Sequence, residues 1–403
     1  MKPAMISSSA ALAQVLDTVP SVVIDHVPLE QVVGRTLATK VRADRDFPPF
    51  DRVTMDGIAI AAAAHLPAHH IYAVAGVAAA GQPRAALSDH TKCIEVMTGA
   101  PLPQGCDTVV RYEDLTKHGE AFRLDVLVEQ GKNVHRQGTD HPAGKVLLSE
   151  GHIIKAIDIN VLATVGLSVV PVRSLPSVAV ISSGDELVGI TESPLPHQIR
   201  TSNSHMLHAR LRQLDISASL HHVADDKEQM IAAMTQIAAS HDVLLISGGV
   251  SKGKFDFMPS VLEEVGFIAH FHRVAQRPGK PFWFGTKGEQ VVFAFPGNPV
   301  STLACFHKYF VPWLQRRQGR SSTMLRVSLA EDVVFKPDLT YFAQASISQS
   351  ADGVMQANVA HGRGSGDMVS PTSQDGFVEL PAGQEIFRKG EVFNFMPFQP
   401  LYR

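Results

Sequence analysis

A chain of 403 residues is too long for a single ordinary hydrophobic core, so its length predicts roughly two to four domains. Its formal net charge is −3, from 36 basic and 39 acidic residues without a long run of Lys or Arg, which excludes the electrostatic footprint of a nucleic-acid-binding or membrane-binding protein. The 3 cysteines lie far apart, which excludes a disulfide framework and a CxxC site and favours a reducing compartment, the cytoplasm.

The amino-terminal segment predicts a short, peripheral helix. Leu12, Val15 and Leu16 follow helical spacing after a potential N-cap at Ser9, and Pro20 would end the helix. Polar residues interrupt this segment, which argues against a signal peptide. No apolar run in the sequence approaches the roughly 18 residues that a membrane-spanning helix needs, so we expect a soluble protein.

Residues 46–140 predict a compact β-rich module. Short runs rich in Val, Ile and Ala are broken by turn sequences at Gly81-Gln82-Pro83, Pro101-Leu102-Pro103 and Gly131-Lys132-Asn133. The next segment mixes helix-like and strand-like signals, and Ser174-Leu175-Pro176 predicts a linker. A new domain is therefore expected to begin near Ser177.

The chain then alternates between strand and helix patterns. Val178–Ile181 predicts a strand, and Val243–Ile246 is fully apolar, as expected for a central, buried strand. Helices are predicted around four apolar series, with Leu207, Leu211 and Leu214; Met230, Ile231, Met234, Ile237 and Ala238; Met258, Val261, Leu262 and Val265; and Leu303, Phe306 and Phe310. This order predicts a doubly wound α/β domain with a parallel sheet.

Helical periodicity disappears after about Ser321. Short strands separated by glycines continue to Arg403, which predicts a small β-barrel or sandwich. The sequence therefore predicts an α/β multidomain protein with a β-rich amino-terminal module, a doubly wound α/β domain and a small carboxy-terminal β domain.

Ligands of doubly wound sheets bind beyond the carboxyl ends of the strands, so the loops after the predicted strands are candidate sites. Three such loops, Ser182–Glu186, Ser247–Gly253 and Pro296–Pro299, would converge on one crevice. The second loop is rich in glycine and enters a helix, which allows backbone N–H groups to face a phosphate. A plain turn is the alternative interpretation, because the loop lacks the GKS or GKT of a P-loop.

Carboxylates and cations surround these loops. Clustered carboxylates near a phosphate are typical of an Mg²⁺ site, and the candidates are Asp185, Glu186, Asp225, Asp226 and Asp256. For Asp225 and Asp226, capping of the following helix is an equal alternative. The cations suited to oxyanions are Arg273, Arg277 and Lys280, and the alternative is that they are surface charges. We favour anion binding because Pro278-Gly279-Lys280-Pro281 predicts a rigid turn that would orient Lys280.

Seven motifs follow one another in chain order: FDRVTMDG, VMTGAPLPQGCD, NVHRQGTD, SSGDEL, SGGVSKGKFD, RPGKPFWFG and FPGNPVS. Taken singly, Asp56 in the first motif and Asp140 in the third are better explained as turn residues. As an ordered series, covering about residues 45–305, the motifs resemble those of the molybdopterin molybdenumtransferases, a family that includes part of the receptor scaffold gephyrin. GSGD at Gly364–Asp367 is a weaker match in the tail.

The resemblance implies an elongated homodimer of four-domain subunits, with the active site between the α/β domain of one subunit and the amino-terminal domains of the other. The implied domains are residues 1–45 with 141–173 (a discontinuous linker and dimerisation domain), 46–140 (β-rich), 174–320 (α/β, molybdopterin-binding) and 321–403 (β-barrel). The implied reaction converts adenylated molybdopterin and molybdate into molybdenum cofactor and AMP with Mg²⁺. The adenylyltransferase of the preceding step and the recipient molybdoenzymes are candidate protein partners.

Residue roles follow as hypotheses. Gly248, Gly249 and Ser251 would hold phosphate; Glu186, Asp225 and Asp256 would hold Mg²⁺ or position water; Arg273, Arg277 and Lys280 would hold anions. Asp56 and Asp140 would close the site from the partner subunit. The remaining predicted substrate contacts are Thr98, Ser183, Gly184, Pro296, Pro299 and Ser365.

Five positions depart from the family pattern, at Arg52, Val53, Ile58, Thr139 and Ser183. The acidic residues of the motifs are retained, so we expect the activity to be retained with altered substrate contacts. Two alternatives are a molybdopterin adenylyltransferase, against which the flanking domains argue, and a non-catalytic cofactor carrier or scaffold, against which the retained acids argue.

Overall fold

The computed structural model describes residues 5–21, 23–62, 65–66, 68–250, 257–320, 324–360, 362 and 364–399. The chain forms two compact units: a larger unit of residues 1–26, 34–36 and 171–403, and a β-rich unit of residues 27–33 and 37–170. The four-domain division implied by the resemblance is finer than this and stays a prediction. Among the described residues, no helix is long and apolar enough to cross a membrane.

The first helix, α1 (Ser8–Asp17), belongs to the larger unit. Its N-cap is Ser7, whose Oγ accepts from the N–H of Ala10 at 3.1 Å, so the cap lies two residues before the predicted Ser9. Ala11 and Val15 are fully buried in the hydrophobic core of the α/β domain. The prediction of a peripheral helix is therefore wrong, because helical spacing reveals an apolar face but not the element that covers it.

The β-rich unit contains mostly short strands and one helix. Its elements are β2 (Val41–Arg42), β3 (Arg52–Val53), β4 (Gly57–Ile60), β5 (His65–Leu66), β6 (Ile71–Ala78), β7 (Lys92–Val96), β8 (Thr108–Arg111), β9 (Leu115–His118), β10 (Ala121–Leu124), β11 (Val128–Glu129), β12 (Val134–His135), β13 (Val146–Leu148) and α2 (Asp158–Thr164). Two further strands, β1 (Ile24–Pro28) and β14 (Val169–Arg173), cross the boundary between the residue ranges of the units.

Six of these strands form one sheet in the order β8-β4-β7-β6-β10-β9. Strand β4 is buried on both faces because Ile58 and Ile60 enter one hydrophobic cluster while Ala59 enters another. The predicted β-rich module is therefore confirmed.

The α/β domain of the larger unit follows the predicted alternation. Its strands are β15 (Val178–Ser183), β16 (Leu187–Val188), β17 (Ile199–Arg200), β18 (Ala218–Val223), β19 (Val243–Ser247), β20 (Ile268–His272), β21 (Gln276–Arg277), β22 (Trp283–Lys287) and β23 (Gln290–Phe295). Its helices are α3 (Asn203–Arg212), α4 (Lys227–Ala238), α5 (Met258–Glu264), α6 (Pro299–Cys305) and α7 (Val311–Arg317), with a π-helical turn at Phe306–Phe310 between the last two.

The main sheet has the order β18-β15-β19-β23-β22-β20. The first four strands are parallel, β22 pairs antiparallel with β23, and β20 pairs antiparallel with β22. Only β22 therefore runs against the other five strands, and the sheet is mixed rather than wholly parallel. Strand β19 is central and fully buried, as predicted: Val243 and Leu245 face the core that contains α1, and Leu244 and Ile246 face the core formed with α4 and α5. Helices on both faces confirm the doubly wound fold.

The carboxy-terminal strands are β24 (Leu325–Leu329), β25 (Val333–Val334), β26 (Thr340–Gln349), β27 (Met355–Val359), β28 (Gly376–Leu380), β29 (Ile386–Phe387) and β30 (Val392–Pro397). Strands β26, β27, β24, β30 and β28 pair in that order, and β28 pairs again with β26, which closes a five-stranded barrel. The β domain is thus a barrel and not a sandwich. Strand β21 joins the barrel alongside β26, with Gln276 opposite Thr340.

Candidate active site

A cavity of about 700 Å³ lies in the larger unit, where the carboxyl ends of the parallel strands face the barrel. The loops after β15, β18, β19 and β23 all contribute to its lining. Ten predicted site residues line it together: Ser183, Gly184, Glu186, Asp225, Gly248, Gly249, Arg277, Lys280, Pro296 and Ser365. This is the crevice that strand order in a doubly wound sheet favours for ligands.

The structure separates the two neighbouring aspartates that the sequence left equivalent. Asp226 is the N-cap of α4, and its Oδ1 accepts from the N–H of Gln229 at 2.9 Å. Asp225 lines the cavity, and its Oδ1 accepts from the hydroxyl of Ser183 at 2.8 Å. Asp185 accepts from the N–H of Asp225 at 3.0 Å and does not line the cavity. Asp225 and Glu186 are therefore the two described carboxylates that line the cavity.

The glycine-rich loop after β19 approaches the cavity through its backbone. A Cβ at Gly248 would lie 2.7 Å from the carbonyl oxygen of Ser183, so only glycine allows this close approach of the two loops. Asn203 secures the same region, because its Nδ2 donates to Ser247 Oγ at 2.9 Å and to the carbonyl of Gly297 at 2.7 Å. The predicted Ser251 and Asp256 lie outside the described residues.

Two of the three predicted cations line the cavity. Arg277 and Lys280 are exposed side chains on its wall. Arg273 is not part of the lining; its backbone N–H donates to Phe282 at 3.0 Å, and its φ is 95°. Pro299 begins α6 and lines a separate, smaller groove.

The tail motif GSGD reaches the cavity through Ser365. Its Oγ accepts from the Nδ2 of Asn298 at 2.8 Å, and its carbonyl accepts from the N–H of Val300 at 3.1 Å. Asn298 lies in the PGNP motif and lines the cavity, but it was not selected from the sequence. Its amide side chain between two prolines was a usable signal.

The opposite wall of the cavity was not predicted. It is apolar and comes from the barrel, through Val333, Val334, Phe335, Leu339, Tyr341 and Phe342. The rings of Phe335 and Tyr341 stack with centroids 4.2 Å apart and planes 9° apart. Tyr341 stands opposite Arg277 in the pairing of β26 with β21, which places an aromatic ring beside a cation. No local motif marks these strands, so only barrel closure reveals the wall.

In the β-rich unit, two predicted residues contact each other. Asp56 Oδ1 accepts from the backbone N–H of Thr98 at 2.6 Å and from its hydroxyl at 2.7 Å. These hydrogen bonds join the MDG and MTGAP motifs and lower the pKa of Asp56, with the backbone donor having the larger influence. The pair thus forms a local, ionised turn at the surface.

We expect the Asp56 contact to stabilise the β-rich unit only while the carboxylate is ionised. Because its folded pKa is lowered, this stabilisation is present above the ordinary pKa of 3.8 and is lost as the pH falls through the folded pKa. A carbon-detected NMR titration should show the pKa of Asp56 rising towards its ordinary value in Thr98→Val. The pKa of Asp332, which Lys389 N–H and Arg388 lower, should not change; an unchanged pKa of Asp56 would contradict the assignment.

Asp140 has a different set of neighbours. Its Oδ1 lies 3.0 Å from His135 Nε2, and the Nδ1 of the same ring lies 3.1 Å from Arg52 Nη2. Because a guanidinium can only donate, it pairs with an unprotonated Nδ1, which leaves Nε2 to donate to the carboxylate. Arg52 therefore orients His135, and His135 orients Asp140.

Comparison with known proteins identifies the family. Three family models match in succession: the MoeA N-terminal region (domain I and II) at residues 6–166, the probable molybdopterin binding domain at 179–316 and the MoeA C-terminal region (domain IV) at 326–398. A relative from Synechocystis sp., named molybdopterin molybdenumtransferase, is 38% identical over 97% of this chain and 99% of its own length. The chain belongs to the molybdopterin molybdenumtransferase family. A second relative of that name, from Synechococcus elongatus, is 32% identical over 96% of this chain and 98% of its own.

Solved structures agree with this membership. The molybdopterin biosynthesis MoeA protein from Pyrococcus horikoshii superposes with a TM-score of 0.86 at 28% identity, covering 98% of this chain and 100% of the other. A second solved structure, of a molybdopterin biosynthesis MoeA protein from Pyrococcus horikoshii OT3, gives a TM-score of 0.78 at 26% identity, covering 98% of this chain and 100% of the other. The resemblance inferred from seven motifs is thus confirmed over the whole chain.

Within this molybdopterin molybdenumtransferase family, the departures of this chain acquire separate explanations. Ile58 and Val53 are fully buried in the β-rich unit, so they fill its core. The Thr139 hydroxyl donates to the carbonyl of Arg136 and closes a local turn. Of the five departures, Ser183 is the one that lines the cavity, where its hydroxyl donates to Asp225.

Proposed function

We propose that this protein inserts molybdate into adenylated molybdopterin, releasing AMP and forming molybdenum cofactor. Family membership supports a transferase of molybdenum-cofactor biosynthesis. The observation that carries the proposal is that carboxylates, the backbone of the glycine-rich loop and cations all line the same cavity. Such a substrate is an anionic phosphoanhydride, and its co-substrate is a tetrahedral dianion, so both require this combination.

The cations would bind the anionic groups. Arg277 offers a planar fork suited to phosphate oxygens, and Lys280 offers a point charge on a flexible stem. Backbone N–H groups of Gly248 and Gly249 would complete the phosphate site. Fixed donors around the phosphoanhydride favour its cleavage because they stabilise the charge that develops on the leaving AMP.

The carboxylates fit a bound Mg²⁺. Glu186 and Asp225 provide oxygen ligands, and Mg²⁺ in phosphate sites usually takes one or two carboxylates together with substrate phosphates and waters. The hydroxyl of Ser183 would orient Asp225 for this role. When bound, Mg²⁺ would neutralise phosphate charge. No cluster of three or more acidic, His or Cys ligands occurs among the described residues, from which Asp256 is absent.

The reaction also needs protons. Each oxygen that leaves molybdate as water, when a dithiolene sulfur replaces it, takes up two protons. Glu186 lines the cavity with an exposed carboxyl group and is our candidate to pass these protons on, one at a time. In its ionised form, the same group would position the water that cleaves the phosphoanhydride.

The proposal extends to assembly and compartment. We propose a homodimer in which Asp56, Thr98 and Asp140 of one subunit complete the cavity of the other, as the family resemblance implies. We further propose a cytoplasmic protein that exchanges substrate and product with the adenylyltransferase and with recipient molybdoenzymes. Cys93, Cys106 and Cys305 are buried free thiols whose pKa values burial raises, which fits a reducing compartment.

The test is to incubate purified protein with adenylated molybdopterin, Mg²⁺ and molybdate while following AMP and cofactor. We expect AMP release that requires molybdate and is abolished by chelation of Mg²⁺. Tight binding of adenylated molybdopterin without AMP release would contradict the proposal and favour a carrier or scaffold. Consumption of a nucleoside triphosphate with molybdopterin would instead favour the adenylyltransferase.

A further inference from the structure

The cation loop, residues 276–281, rests on a buried polar chain that the catalytic proposal does not use. Ser8, Gln276, Cys305 and Tyr309 are at most 1% exposed, although all four carry polar or ionisable groups. Ser8 lies in α1, Tyr309 in the π-helical turn and Gln276 at the start of the loop. Buried polar groups of this kind are costly unless they are hydrogen-bonded.

The hydrogen bonds among these four buried side chains have a defined direction. Tyr309 donates its hydroxyl to Gln276 Oε1, because an amide oxygen can only accept. Ser8 Oγ, 3.3 Å from the Tyr309 hydroxyl oxygen, must therefore donate to it. The Nε2 of Gln276 then donates to the carbonyl of Gly279 at 3.1 Å and to Cys305 Sγ at 3.5 Å. The chain thus runs from α1 to the middle of the cation loop.

The backbone of the cation loop packs closely against these buried side chains at Gly279. A Cβ at Gly279 would lie 2.5 Å from Cys305 Sγ and 2.7 Å from Gln276 Nε2, and the φ of Gly279 is +92°. Only glycine fits both this backbone conformation and this close approach. The loop therefore sits directly on the buried amide, between the two cavity-lining cations, Arg277 and Lys280.

Two other elements hold the strand that leads into the loop. The N–H of Ala275 donates to Ile6 at 2.8 Å, and the N–H of Ile6 donates to Arg273 at 3.3 Å. On the barrel side, the N–H of Thr340 donates to Ala275 at 3.1 Å. The amino-terminal segment thus contacts the strand before the loop through its backbone, and Ser8 is linked to Gln276 through Tyr309.

We propose that Ser8, Tyr309 and Gln276 are positioning residues that fix the cation loop for the substrate anion. Arg277 and Lys280 have flexible side chains, so their affinity for an anion depends on a backbone that is already in place. Loss of the Gln276 amide leaves the Gly279 carbonyl with the weak S–H donor of Cys305, at 3.7 Å, and loss of the Tyr309 hydroxyl leaves Gln276 Oε1 without that donor. In either case we expect the loop to sample other conformations. The identity of the anion rests on the proposed function, whereas the positioning of the cation loop by these three residues does not.

The test compares Gln276→Met and Tyr309→Phe with the matched control Gln290→Met. Gln290 also donates to two carbonyls, Ala238 and His241, but it lies at the amino end of β23, the end opposite the cavity. We expect Gln276→Met and Tyr309→Phe each to raise the KM for adenylated molybdopterin by about tenfold while kcat changes less than about threefold. Gln290→Met should leave the KM unchanged even where it lowers the thermal midpoint by a similar amount.

A second readout does not require turnover. Hydrogen exchange followed by mass spectrometry should show faster exchange in the peptide covering residues 274–282 in both chain variants and not in the control. The double variant should raise the KM little more than Gln276→Met alone, because both changes break one chain. Unchanged exchange in this peptide, or additive effects on the KM, would overturn the positioning role. Absence of AMP release by the wild-type protein, with the exchange difference intact, would overturn the proposed function alone.

Discussion

Glu186→Gln should lower molybdate-dependent AMP release by at least about a hundredfold without measurable loss of stability. The side chain is exposed within the cavity, so the amide replaces the carboxylate without burying an unpaired group. The substitution removes both a metal ligand and the carboxyl group that we propose to handle protons. The measurement is AMP release by chromatography under saturating substrate, with a urea melt to verify the fold.

Glu192→Gln is the matched control for this prediction. Glu192 lies in the same segment after β15, but its carboxylate accepts from the N–H of Gly189 at 2.9 Å and does not line the cavity. Its replacement should leave AMP release within about twofold of the wild type. Comparable activity of Glu186→Gln and Glu192→Gln would show that Glu186 has no chemical role.

Phe293→Ala should destabilise the larger unit by about 3–5 kcal/mol. Phe293 is fully buried in β23, next to the central strand, and its ring lies 5.0 Å from that of Phe284, 5.7 Å from Phe310 and 5.9 Å from Trp313. Truncation leaves a cavity in the core that α1 and the sheet share. Since both tryptophans, Trp283 and Trp313, lie in the larger unit, the change should appear as an earlier transition in urea followed by tryptophan fluorescence.

The control for the core prediction is Ile268→Ala in the edge strand β20. Ile268 is 71% exposed, so its truncation should change stability by less than about 1 kcal/mol. If the two variants unfolded at the same urea concentration, the larger unit would not depend on the aromatic core around β23.

Much of the fold was predictable from residue periodicity. Val243–Ile246 is apolar at every position, and this pattern is typical of a strand with packed layers on both faces, as β19 has. The loops after Ser183 and Ser247 could be assigned to one crevice because parallel strands end at the same edge of a sheet. The glycine and acidic residues of these loops therefore indicate the position of the cavity from the sequence alone.

Other features depend on contacts between residues that are distant in sequence. Asp225 and Asp226 are equivalent in the sequence. The residue at which α4 begins decides that Asp226 caps this helix while Asp225 faces the cavity. The apolar wall around Tyr341 has no local motif because its position follows from closure of the barrel and its pairing with β21. Periodicity reports how one side chain relates to its near neighbours, not which element covers it.

The sequence by itself thus determined the order of elements, the type of each domain, the family and the polar wall of the cavity, since strand and helix periods and ordered motifs are local signals. Tertiary structure alone decided that α1 is part of the α/β core, that the last two strand pairings of the sheet are antiparallel and that Ser8 is linked to Gly279 through Tyr309 and Gln276. The physical reason is that burial and hydrogen-bond partners across hundreds of residues are set when the elements pack together, and no local pattern encodes them.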